Sequence, residues 1–123
     1  MSSPIHKDSA AGSWWELSLY EQLGNIGSEV GRALRWKTRN PKISLGAFER
    51  ALDLMDLTIS DPRYRFSVAR LRELARAREV MVDFIAGSNE FQSTGNSLQR
   101  YFDAFATAAA LARDRASLNN PPG

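Results

Sequence analysis

Ser18–Lys37 reads SLYEQLGNIGSEVGRALRWK. Leu19, Leu23, Ile26, Val30 and Leu34 recur in it at spacings of 4, 3, 4 and 4, which places them on one face of a helix and predicts a helix over the whole stretch. Ser18 with Glu21 three residues later is a capping box, in which hydroxyl and carboxylate each satisfy a backbone N–H that the first turn leaves without a partner. Gly24, Gly27 and Gly31 form an adjoining strip. Each interior glycine costs about 1 kcal/mol against alanine, so the strip predicts close packing of another helix, with a binding groove as the alternative. No strand precedes these glycines, which excludes a phosphate-cradling loop.

Downstream, Asn40 and Pro41 break the first helix, and a second is expected from about Ser44 to Ser60. Its apolar set is Leu45, Phe48, Ala51, Leu52, Leu54, Met55 and Ile59, with Glu49, Asp53 and Asp56 as an acidic stripe on another edge. Asp61 as N-cap with Pro62 at the first position starts a third helix, with Tyr64–Ser67 an irregular lead-in, running to Ala86 with Gly87 as its C-cap. Val68, Leu71, Leu74, Ala75, Met81, Val82 and Ile85 are expected inward. Arg78 falls inside that face, and a buried guanidinium needs a carboxylate, so a buried pair with Asp53 or Asp56 is expected. Ser88–Ser97 is polar, with Phe91 its one apolar residue. A fourth helix should occupy about Leu98–Ala116, with Leu98, Phe102, Phe105, Ala109 and Ala112 inward.

Together these segments predict an all-α antiparallel four-helix bundle over residues 14–117, with disordered tails at 1–13 and 118–123. The 123 residues suit one domain. There is no cysteine, which removes disulfides, thiolate chemistry and cysteine-ligated metal centres. No run of about 18 apolar residues spans a membrane. The first thirteen residues lack the apolar stretch of a signal peptide, so a cytoplasmic location is expected.

The formal net charge is +2, too small to demand a polyanionic partner. Its sign alternates along the chain. Arg32, Arg35, Lys37, Arg39 and Lys42 contain no acid among them; Ile43–Asp61 is net acidic; Pro62–Glu79 holds six arginines against two glutamates. Alternation of this kind suits neighbouring helices whose flanks pair.

Catalytic signatures are missing. His6 is the only imidazole and lies in the expected tail, so no triad can be assembled around a base. No Glu-x-x-His pair supports a di-iron bundle, and no Arg–His ribonuclease motif of the HEPN type occurs. A magnesium-dependent nucleotide hydrolase could draw on Glu49, Asp53 and Asp56 but needs a second acidic cluster, and Glu21 and Glu29 of the first helix lie eight residues apart. No catalytic residue, metal or cofactor is therefore expected.

Two binding functions remain. The leading expectation is an oligomeric adaptor or accessory subunit that works through protein–protein contacts, with Trp14, Trp15, Trp36, Leu57, Phe91 and Leu111 as candidate interface residues. The alternative is an accessory protein that binds nucleic acid, expected to be RNA. It would use Arg32, Arg35, Trp36, Lys37, Arg39 and Lys42 together with Arg65, Arg72 and Arg76 for phosphate contacts and base stacking. The expected partner is a second copy or another protein, with no membrane.

Overall fold

A computed structural model describes residues 11–87, Asn89 and 94–119. Every regular element among them is helical, with no strand. The chain is helical at 11–15 and then forms α1 (Leu19–Trp36), α2 (Pro41–Ile59), a 3-10 turn (Pro62–Tyr64), α3 (Val68–Ala86) and α4 (Gly95–Asn119).

The boundaries follow local chemistry. Ser18 caps α1 with the complete capping box to Glu21. Asn40 does more than end the preceding segment. Its side chain accepts from the Ile43 N–H with Pro41 at the first helical position, so α2 starts a turn earlier than expected. Asp61 caps only the short 3-10 turn, and Ser67 caps α3 by accepting from the Arg70 N–H. Thr94 and Ser97 exchange side-chain bonds to each other's backbone N–H and start α4 ahead of the expected Leu98. Residues 11–13 and 118–119, expected to belong to the tails, are helical.

Contacts between helices run in opposite chain order. From α1 to α2, the Ser44 hydroxyl donates to the Ala33 carbonyl (2.6 Å), Arg50 pairs with Glu29 (3.2 Å) and Gln22 Nε2 donates to Asp61 (3.0 Å). From α1 to α4, Leu34 lies against Gly95, and Gly27 faces Gln99 and Phe102. From α2 to α3, Phe48 meets Phe84 edge to face and Asp56 pairs with Arg78. Helix α1 packs against both α2 and α4, whereas α3 packs chiefly on α2.

One apolar core results, fed by all four helices. Leu23, Ile26 and Val30, Phe48 and Met55, Leu74 and Met81, and Leu98 and Phe102 are buried in it. Each large apolar side chain of this kind contributes about 1.5–3 kcal/mol on burial. The buried stripe of α3 is narrow, consisting of Leu74, Ala77 and Met81. That narrowness corrects the expectation for Arg78. It does pair with Asp56 (Nε to Oδ1, 2.6 Å), but the two side chains are 40% and 54% exposed, so the pair sits on the rim and Asp53 takes no part. Leu45, Val68, Ala75 and Ala112 are likewise exposed rather than inward. The side chains of Phe105 and Ala109 lie outside the described set.

Candidate protein-interaction surfaces

The paired tryptophans show how the ends of the helical array are built. The Trp14 indole N–H donates to the Thr58 hydroxyl (2.9 Å), which itself donates to the Leu54 carbonyl, and the Trp15 indole donates to the Leu57 carbonyl (2.7 Å). Trp14 is buried and Trp15 and Leu57 are half-buried against the core. Trp14 is thus a core residue, and Trp15 and Leu57 are partly engaged within the chain, which holds residues 11–15 on the C-terminal end of α2. Trp36 is half-buried, Phe91 lies outside the described residues, and among the described members of the set Leu111 is the exposed apolar side chain.

Beneath Trp14 lies a buried polar network. Gln22 donates to the Trp14 carbonyl and to Asp61, and accepts from the Tyr64 hydroxyl (2.8 Å). Asp61 also accepts from the Arg63 guanidinium and backbone N–H, while Arg63 reaches the Leu17 carbonyl. Burial alone would raise the Asp61 carboxyl, but the hydrogen bonds from Arg63 and Gln22 together outweigh it and hold the group below its ordinary value. Among the described residues no buried side-chain polar atom lacks a partner. A satisfied network of this sort fixes geometry and leaves no unsatisfied group to bind a ligand.

Large apolar side chains remain exposed at both ends of the array. At the end where α1 and α3 begin and α2 and α4 finish, Phe66 is 90% exposed, and Tyr20, Val68 and Leu111 are exposed with it. A recess of about 390 Å³ opens there between Ser18, Tyr20, Arg63, Tyr64, Ser67 and Arg70. At the opposite end, Leu45 is 52% exposed and Ile43 is exposed beside it in the first turns of α2. Leu45 borders an apolar groove of about 290 Å³ walled by Pro41, Phe48, Phe84 and Ile85. The Lys37 ammonium hangs over this groove, 4.5 Å from the centre of the Phe84 ring. The 18 residues of α1 separate the two ends by about 27 Å at 1.5 Å per residue.

Neither Phe66 nor Leu45 stood out in the sequence. Leu45 fits the apolar period of its helix, and the one signal for Phe66 is an aromatic set directly after Arg65 in a segment that does not continue a helical period.

The glycine strip divides. An added Cβ at Gly27 would make ordinary contacts with Phe102 and Gln99, and at Gly31 it would come within 3.1 Å of Gln99 Oε1. At Gly24 it would meet nothing within 4 Å, so close helix packing does not account for that glycine. A shallow groove of about 290 Å³ runs along the strip, bordered by Arg35, Gln99 and Asp103.

The candidate nucleic-acid residues are distributed over the molecule. Arg32 is 3.9 Å from Glu29, Lys37 sits over Phe84, and Arg39 and Lys42 are exposed near the start of α2. Arg65 is at the opposite end, and Arg72 and Arg76 follow along α3, both exposed. The acidic stripe does not assemble a metal centre. Asp56 is held by Arg78, and among the described residues no three acidic or imidazole side chains come together as a metal-binding group. No described helix is long and apolar enough to cross a membrane. The chain matches no protein-family model, no curated protein and no solved structure.

Proposed function

We propose that this chain is a non-catalytic antiparallel four-helix bundle that serves as an adaptor or accessory subunit through protein–protein contacts. One observation carries the reading. Two separate groups of exposed large apolar side chains, around Phe66 and around Leu45, lie at opposite ends of a molecule with one apolar core, in which the buried side-chain polar groups of the described residues are already paired. Exposed apolar groups beside recesses are the usual mark of contact surfaces, and two of them about 27 Å apart suit a protein that bridges partners. A second reading, binding of single-stranded RNA, has the specific support of Phe66 lying exposed beside Arg65, just ahead of α3, which carries the exposed Arg72.

Photo-cross-linking in the native host tests the adaptor reading. A photoreactive amino acid in place of Leu45, and separately of Phe66, should give protein adducts at each position, with different masses at the two. Adducts to nucleic acid alone, or no protein adduct at either position, would overturn it.

A further inference from the structure

Resting on the adaptor reading, we infer that the groove at the start of α2 docks an amphipathic segment of a partner protein whose apolar anchors are flanked by carboxylates. The groove itself selects the anchors. Its lining is apolar apart from Lys37 and Ser44, whose hydroxyl already donates to the Ala33 carbonyl, so an apolar side chain laid against Leu45, Phe48 and Ile85 would leave no polar group stranded beneath it.

The charge around it selects the carboxylates. A cation in the last turn of a helix offsets the negative end of the macrodipole, which explains Arg35 without a partner. Lys37, the C-cap of α1, gains from the same negative end, whereas Lys42 sits in the first turn of α2, the positive end, where a cation is disfavoured and no acidic residue of that turn accompanies it. Lys37 lies at the apolar groove, and Arg39 and Lys42 are exposed in the residues that follow it. An acidic partner supplies a counter-charge to these cations, and Lys37, already above Phe84 at 4.5 Å, is placed to pair with a carboxylate next to the anchor. The apolar walls favour such a segment over a nucleic-acid backbone, which offers nothing to cover Leu45 and Ile85.

The test uses two fluorescein-labelled synthetic peptides with the same leucines at helical i, i+3, i+4 and i+7 spacing, one with glutamate and one with lysine at the flanking positions. Each is titrated with the full chain by fluorescence anisotropy. The glutamate peptide should bind at about 10–100 µM and the lysine peptide at least tenfold more weakly, by about the step that one paired charge gives. Leu45→Glu should weaken the glutamate peptide by about tenfold or more, and Phe66→Glu at the far end should leave it unchanged. Lys37→Glu should reverse the preference toward the lysine peptide, a gain that a misfolded variant would not show. Equal binding of the two peptides, no binding of either up to about 1 mM, or an unchanged preference in Lys37→Glu would overturn the inference. So would a doubled mass by light scattering that Leu45→Glu restores to that of one chain, which would give the groove to a second copy. Binding of a labelled single-stranded RNA that Lys37→Glu abolishes and Leu45→Glu does not would overturn it in favour of a polyanion. Protein adducts at position 45 without the peptide preference would leave the adaptor reading standing and refute only the partner's chemistry.

Discussion

Gly24 and Gly31 belong to one strip of one helix, yet their surroundings differ. Gly24 faces open space, so the substitution Gly24→Ala should add about 0.5–1 kcal/mol of stability through helix propensity alone. At Gly31 the new methyl would push against Gln99, whose amide donates to the Gly27 carbonyl at 3.3 Å and to Asp103 at 3.3 Å. That disturbance offsets the propensity gain, and Gly31→Ala should fall within about 0.5 kcal/mol of the parent. Urea unfolding of both variants checks the contrast. A destabilised Gly24→Ala chain would mean that something covers this glycine in solution. Arg78 gives a second residue-scale case, because its short bond to Asp56 is exposed to solvent and an exposed pair contributes only about 0–1 kcal/mol.

At the scale of elements, the junction of α1, α2 and the 3-10 turn depends on the ionised Asp61 carboxylate. Its folded value lies below the ordinary 3.8, so between the folded and unfolded values the unfolded chain binds the proton more readily. The contribution is therefore complete above the unfolded value and is lost as the pH falls through the folded one. Asp61→Asn should cost about 1–3 kcal/mol at neutral pH by weakening bonds to a buried network, and it should flatten the loss of stability between about pH 5 and about pH 3. Urea midpoints across that range measure both effects. An acid limb as steep as the parent's would show that Asp61 ionisation is not coupled to folding. The same network explains why Trp14 and Trp15 hold the 11–15 segment in place: their indole N–H groups reach acceptors on α2 more than 40 residues away.

For the whole molecule, the division between filled core and exposed ends makes its own prediction. The double substitution Leu45→Glu with Phe66→Glu removes one side chain that neighbours only partly cover and one that they hardly cover, and the thermal midpoint should stay within about 3 °C of the parent. Leu74→Ala deletes a fully buried side chain at the centre of α3 and should cost about 2–5 kcal/mol. Calorimetry of the two variants side by side decides the point. A large drop in the Leu45 and Phe66 variant would place those residues in the folding core and remove the basis for reading them as contact surfaces.

The helices, the start of α1 and the C-terminal ends of α1, α2 and α3 were legible in the residues because capping and apolar period are local. Ser18 with Glu21 starts α1 where the capping box requires it, and the α1 face built on Leu23, Ile26 and Val30 is the face that the core uses. Asn40 with Pro41 and Thr94 with Ser97 carried equally local signals, and both helices began earlier than the apolar period suggested. Composition alone also removes thiolate and disulfide chemistry, since the chain has no cysteine. Tertiary structure alone decided which apolar side chains stay outside. Leu45 and Val68 satisfy the helical period but fall in first turns, where the neighbouring helix no longer covers them. It also decided that Trp14 and Trp15 turn inward to α2 and that Arg78 reaches only the rim. Burial depends on which helix stands opposite and how far it extends, and that relation is absent from any single segment.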